Sequence, residues 1–201
     1  PGHGGRPMSR SATPIEVLTE RLPDAVLGSH SYRGDDTVLL RRERLHEAAR
    51  FLKEDPATRM NVLMDLTVVD YSTFGESSPR AFFSPSGVDV RPSPQLPDED
   101  PWPGPPEGGR FAVVYHFFST AHKHRLRLVV PVGEEDGEVD TLTDLWAGAN
   151  WLEREAWDMF GIRFRGHPDM RRILMYEEFE GHPLRKDYPV MKRQPLVEPV
   201  R

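Results

Sequence analysis

The stretch from Ser72 to Arg110 carries nine prolines and five glycines among its 39 residues, with the acidic knot Asp98-Glu99-Asp100 inside it. Proline removes a backbone donor and biases the preceding residue toward extended backbone, while glycine weakens any regular element, so neither a helix nor an interior strand survives that composition. The core must therefore be assembled from the two flanking stretches. Residues 72–110 are predicted as an irregular insertion, a surface excursion or a partner-binding arm. Apolar material is sufficient for a local core: Leu, Ile, Val and Phe number 18, 3, 17 and 10, or 48 of 201 residues, above the roughly 20 % below which chain entropy prevails. Residues 1–13, rich in Gly, Pro, Ser and Arg without periodicity, are predicted as a disordered lead-in.

Before the insertion, Ile15, Leu18 and Leu22 fall at helical spacing behind Thr13-Pro14, with proline at the first helical position, and Pro23 ends the helix. Thr37–Leu40 reads as a strand. Leu45, Ala48, Ala49 and Leu52 form the apolar stripe of a second helix that stops near Pro56. Residues 61–70 read as another strand.

After the insertion, residues 111–118 and 124–132 are two strand-like runs joined by a hairpin at residues 119–123. In the second, Leu126, Leu128 and Val130 alternate with Arg125, Arg127 and Val129, as in a sheet covered by helices on one side. Residues 133–140 form an acidic turn. Thr141 or Thr143 is the predicted N-cap of a helix carrying Leu145, Ala149, Leu152, Ala156 and Phe160, with Trp146, Trp157 and Met159 beside that stripe. Gly161 stops it, and residues 162–165 alternate like a short strand. The fold class is α+β: a domain over residues 14–165, interrupted by the insertion, then an extended partner-binding arm over residues 166–201.

Charge and composition exclude several functions. With 26 basic and 32 acidic residues the formal charge is −6, which leaves no basic footprint for nucleic acid. No window holds 18 consecutive apolar residues, and the first residues lack the layout of a signal peptide, so the chain reads as soluble and unexported. The absence of cysteine excludes disulfides, thiol catalysis and any cluster or zinc site built on thiolates of this chain. From residue 161 onward nine Lys or Arg stand against six Asp or Glu. This basic arm on an acidic chain points to an acidic counterpart.

Two constellations are chemically suggestive. Glu153, Arg154, Glu155 and Asp158 lie within six residues of the predicted helix. They make either a solvated, ion-paired face or a network that fixes the arm through Arg163, Arg165, Arg171 or Arg172. His167 and His182 both stand in Gly-His-Pro with Asp169 and Asp187 nearby. They serve as local turn formers or, on a rival reading, join Asp158 and Asp169 in a stand-alone metal-dependent hydrolase. His122 and His124 bracket Lys123 at the hairpin tip, an ordinary place for solvated histidines. No Ser-His-Asp order, phosphate loop or dinucleotide glycine pattern is present.

Residues 142–162, running Leu-Thr-Asp-Leu-Trp-Ala-Gly-Ala-Asn-Trp-Leu-Glu-Arg-Glu-Ala-Trp-Asp-Met-Phe-Gly-Ile, resemble the signature of the 30-kDa (C) subunit family of NADH:quinone oxidoreductase, respiratory complex I. Phe164-Arg165-Gly166-His167-Pro168-Asp169-Met170-Arg171-Arg172-Ile173-Leu174 and Gly181-His182-Pro183-Leu184-Arg185-Lys186-Asp187-Tyr188-Pro189 follow in the family's order and spacing. Residues 66–71 and 113–116 resemble its weaker sheet motifs, and the insertion departs from it by its length and proline content.

The resemblance implies a mostly antiparallel sheet with helices packed on it, then an extended arm. It implies a non-catalytic structural or assembly subunit in the peripheral arm of a proton-translocating enzyme, on the cytoplasmic side of the bacterial plasma membrane. Such a subunit holds the quinone-site (49-kDa, or D) subunit beside iron–sulfur subunits. No cofactor is expected on this chain; FMN, iron–sulfur clusters, NADH and quinone belong to other subunits, and membrane association comes only through the complex. On this reading His167, Arg171, Arg172, His182, Arg185, Lys186 and Asp187 face the partner, while Glu153, Arg154, Glu155 and Asp158 brace the arm's root. The equivalent subunit of a membrane-bound hydrogenase or a ferredoxin-dependent oxidoreductase is the neighbouring alternative.

Overall fold

The structure, a computed structural model, describes residues 13–73 and 109–195. The expected lead-in, apart from Thr13, and the expected insertion, apart from its ends, lie outside the described residues. Helix α1 (Pro14–Arg21) starts from a capping box: Glu16 N donates to Thr13 Oγ1 at 3.3 Å and Thr13 N to Glu16 Oε2 at 2.8 Å, which satisfies two otherwise orphaned donors. It buries Val17 and Leu18, with Ile15 and Leu22 packed against the core.

Strand β1 (Val26–Tyr32) is not foreshadowed by the sequence pattern, because Leu27-Gly28-Ser29-His30-Ser31 lacks both alternation and β-branching. Its partner creates it. Arg33 and Gly34, at φ +53° and +88°, make a two-residue turn whose twist suits a hairpin, and β1 pairs antiparallel with β2 (Asp35–Leu40). Helix α2 (Leu45–Glu54) buries its stripe of Leu45, Ala48, Ala49 and Leu52 as expected. Strands β3 (Val62–Asp70), β4 (Phe111–Phe118) and β5 (Arg125–Val132) complete a sheet of order β1-β2-β5-β4-β3, antiparallel throughout except for the β2–β5 pair.

The helices cover one face of this sheet. Phe111, Val113, Tyr115 and Phe117 of β4 and Leu126, Leu128 and Val130 of β5 share one core with Leu18, Leu45, Leu52, Ala149 and Ala156. Each large side chain so buried contributes roughly 1.5–3 kcal/mol. On the opposite face Ala112, Val114 and Val129 form a small separate cluster with Leu39 and Tyr71.

Two expectations about the C-terminal third are corrected. The predicted acidic turn ends in a strand, β6 (Glu138–Asp140), which pairs parallel with β7 (Arg163–Arg165) around the buried Val139 and Phe164. The helix predicted from Thr141 or Thr143 begins later, as α3 (Ala149–Phe160), with no side-chain cap at Gly148. The reason is that the threonine does not cap a helix here: Thr141 Oγ1 and Leu142 N both donate to Glu153, at 2.6 and 2.7 Å. Residues 142–148 therefore coil as turns, and Trp146 drops onto Phe117 with ring centres 4.9 Å apart. Beyond β7, the described residues 166–195 contain neither helix nor strand.

Candidate functional site

A helix leaves its last four carbonyls without intrahelical donors. In α3 all four find partners. Gly161 N donates to Trp157 O at 2.8 Å and Leu184 N to Met159 O at 3.1 Å; His182 Nδ1 donates to Asp158 O at 3.0 Å and Arg185 Nε to Phe160 O at 2.6 Å. Three of the four donors come from residues 182–185, so the second Gly-His-Pro segment is the helix's C-cap. The approach is close. Gly161 sits at φ +80°, and a Cβ there would lie 2.6 Å from His182 Nε2 and 2.7 Å from Arg185 Nη2.

Asp158, fully buried, fixes the preceding segment. Arg172 Nη1 binds Oδ1, while the backbone N–H groups of Ile173, Leu174 and Met175 converge on Oδ2 at 3.1, 2.9 and 2.8 Å. Burial by itself would raise this carboxyl's pKa; the donors from Met175, Leu174, Arg172 and Ile173 outweigh it and hold it below the ordinary carboxylate range. Arg172 also donates to the carbonyls of Phe179 and Gly181, at 2.8 and 3.2 Å. Arg154 lies along the same segment, giving hydrogen bonds to the carbonyls of Arg171 and Arg172 at 3.1 and 3.2 Å.

A second tie reaches the sheet. Arg110, just before β4, binds Asp70 at the end of β3, Glu134 in the β5–β6 loop and Asp187, with its Nη2 3.0 Å from Asp70 Oδ2 and 2.7 Å from Asp187 Oδ1. Asp70 further accepts from Ser72 N and Lys186 N at 3.0 and 2.9 Å. Burial pushes the Asp70 pKa up, but Arg110 and these backbone donors prevail and hold it far below its usual value.

The residues singled out in the sequence thus separate. Asp158 and Arg154 bind the C-terminal segment; Glu153 instead seals the 141–142 turn, and Glu155 is exposed. Desolvation pushes Glu153 up to about 7, because only Leu142 N and Thr141 Oγ1 oppose it. Among the four arginines suggested to fold back on the helix's carboxylates, Arg172 does so; Arg165 pairs with Asp140 and Arg171 with Asp169. Arg172, Arg185 and Asp187 are engaged within the chain, whereas Arg171 is exposed. His167 Nε2 reaches Asn150 O at 3.2 Å, eight residues along α3 from the carbonyl held by His182, or about 12 Å at 1.5 Å per residue. The two histidines do not converge, and among the described residues no group of three or more His, Cys, Asp or Glu is gathered to hold a metal ion.

Asp70, Arg110 and the close approach at Gly161 carry no site signal in the sequence. Nothing local marks an aspartate and an arginine 40 residues apart as partners. Around the tied segment several large apolar side chains face outward: Trp151, Leu174 and Leu184 are 64, 56 and 51 % exposed, and Val190 and Met191 more than 90 %.

These features define a class of protein: an α+β domain whose C-terminal segment is tied to its own last helix and sheet while offering an apolar surface. The chain belongs to the respiratory-chain NADH dehydrogenase 30 Kd subunit family, whose model matches residues 38–194. It is 43 % identical over 180 residues to the NADH-quinone oxidoreductase C subunit of Roseiflexus sp. (strain RS-1), covering 90 % of this chain and 84 % of the relative. To the same-named protein of Geobacter sulfurreducens it is 36 % identical over 183 residues, covering 91 and 92 %. Among solved structures, the trypsin-resistant fragment of Nqo5 superposes with a TM-score of 0.56 at 33 % identity, covering 78 % of this chain and 99 % of the fragment. A chain of the archaeal membrane-bound sulfane sulfur reductase shares the fold, with a TM-score of 0.60 at 17 % identity, covering 88 and 84 %.

Proposed function

We propose that this chain is a non-catalytic structural subunit in the peripheral arm of a proton-translocating NADH:quinone oxidoreductase, where it holds the quinone-site (49-kDa, or D) subunit. FMN, iron–sulfur clusters, NADH and quinone are then bound by neighbouring subunits, and electron transfer is a property of the assembly. The names of the relatives support this reading. The observation that carries it is the C-terminal segment: Arg172, Arg185 and several of its backbone N–H groups hold it to α3 and β3, yet Leu174, Leu184, Val190 and Met191 stand out into solvent. Burying such side chains against a partner is the main favourable contribution to association. Arg171 and Lys186, both exposed, then meet partner carboxylates. No helix among the described residues is long and apolar enough to cross a membrane. Attachment at the cytoplasmic face of the bacterial plasma membrane accordingly comes through the complex.

The test is purification of the tagged chain from its native membranes, with mass spectrometry of what accompanies it. Quinone-site, iron–sulfur and flavin subunits should be recovered with the unaltered chain and be depleted with a Leu174→Asp/Leu184→Asp variant that still folds. Arg171→Glu with Lys186→Glu should weaken recovery less, because charges at a rim contribute more to association rate than to affinity. Recovery of the chain alone, or undiminished recovery with the leucine variant, refutes the reading.

A further inference from the structure

The β4–β5 hairpin tip holds a pair of histidines that the proposed scaffold role does not use. Lys123, at φ +60°, makes the tight turn between them, and the His122 and His124 rings lie with centres 5.3 Å apart and planes inclined by 28°. Each ring is fixed by its Nε2, which donates to a main-chain carbonyl of the α2–β3 loop: His122 to Pro56 O at 2.9 Å and His124 to Thr58 O at 3.3 Å. That loop is itself anchored, since Thr58 is buried and its hydroxyl donates to Leu52 O at 2.8 Å. A carbonyl can only accept, so both Nε2 atoms carry hydrogen and both neutral rings keep their lone pair on Nδ1. Neither Nδ1 accepts a hydrogen bond from a side chain among the described residues.

We propose that His122 and His124 form a binding site for a divalent transition-metal ion, zinc or a neighbour in the series, through their two Nδ1 atoms, with water completing the shell. A ring nitrogen that ligates a metal characteristically has its opposite N–H held by a carbonyl or carboxylate, which fixes tautomer and orientation. That arrangement is present twice here. The spacing also suits the ion: with Zn–N of about 2.0–2.1 Å, two imidazoles at a tetrahedral angle have ring centres about 5 Å apart. Imidazole donors without a carboxylate select a borderline ion over calcium or magnesium. The neighbouring Lys123 ammonium and the two open positions keep the site weak and exchangeable, as for an ion that is sensed or bridged to a further ligand.

Zinc titration of the full chain by calorimetry, followed by imidazole nitrogen NMR, tests the assignment. His122→Gln and His124→Gln are suitable variants, because the glutamine amide can still donate to Pro56 O or Thr58 O while the Nδ1 ligand is lost. The expected result is one zinc equivalent whose affinity falls at least tenfold in either variant and is unchanged in His167→Gln, with zinc-dependent shifts at Nδ1 of both residues. Absence of binding at millimolar zinc, or binding that persists in both variants, overturns it.

Discussion

His182 closes the end of the helix that carries Asp158: its Nδ1 donates to the Asp158 carbonyl at 3.0 Å, while the carboxylate of the same aspartate collects Arg172 and three backbone N–H groups. One residue therefore binds two parts of the C-terminal segment, through main chain and side chain at once. Burial favours the neutral imidazole, and the neighbouring Arg185 and Arg172 reinforce this against the Asp158 carbonyl, so the His182 pKa lies below its ordinary value.

Removing the carboxylate should undo the upper half of this tie. Asp158→Ala leaves Arg172 and three N–H groups without their acceptor, and breaking a buried pair of this kind costs about 3–5 kcal/mol. Urea denaturation should show that loss, and hydrogen exchange at Ile173, Leu174 and Met175 should rise first. Unchanged exchange at these three amides would contradict the geometry.

Gly161 has two independent demands on it, and Gly34 only one. Gly161→Ala places a Cβ at positive φ and against His182 and Arg185, whereas around Gly34, at φ +88°, nothing lies within 4 Å. Gly161→Ala should cost more than the roughly 1–2 kcal/mol of a left-handed alanine and expose the Leu184 amide to exchange. Gly34→Asn, a residue that tolerates this conformation, should cost less than about 1 kcal/mol. Equal melting temperatures for the two variants would show that the segment does not press on Gly161.

Glu153 titrates in the opposite sense to the binding carboxylates. Its folded pKa of about 7 lies above an unfolded value near 4.3. The folded state thus holds the extra proton between those limits, and the contribution to stability is full below about pH 4.3 and lost as pH rises through 7. The size is on the order of 3 kcal/mol. His182 and His116, whose pKa values are lowered, act in the reverse direction over part of that range, so the informative quantity is a difference between proteins. Glu153→Gln should gain stability relative to the unaltered chain as pH is raised from 5 to 8. Parallel pH profiles for the two would exclude a buried titrating Glu153.

Arg110 joins three carboxylates from three parts of the chain. Without it Asp70 keeps only the Lys186 and Ser72 backbone donors and the Ser72 hydroxyl, and Asp187 loses its ion pair. Arg110→Ala should therefore let residues 182–188 open more often. Trypsin cleavage after Arg185 and Lys186 measures this, because cleavage follows the population of the open form; a rise of about tenfold or more corresponds to a loss of about 1.4 kcal/mol. Cleavage at the original rate would mean that the α3 cap alone holds the segment.

The periodic elements are legible in the chain itself. The stripe of Leu45, Ala48, Ala49 and Leu52 and the alternation of β5 reflect burial on one face, and burial on one face is a pattern along the chain. Helix α3 is legible in its middle but not at its start. Thr141 has the chemistry of an N-cap, and what redirects it is Glu153, twelve residues on, which takes its hydroxyl. Strand β1 has no pattern because its pairing comes from a turn at Arg33-Gly34. The carboxylates at 153, 155 and 158 look alike in sequence; α3 buries Glu153 and Asp158 in different surroundings and leaves Glu155 in water.

The sequence by itself determined the class of fold, the one-sided core and, through the block from residue 142 to 189, the family. It did so because periodic burial and a long ordered motif are both local properties of a chain. Only the tertiary structure decided that Arg172, Arg185 and Asp187 are bound within the molecule, that Asp70 and Arg110 meet across 40 residues, and that residues 182–185 are a helix cap. Ion pairs and caps of this sort depend on distance in space, and the fold sets that distance only after separate stretches of chain have packed.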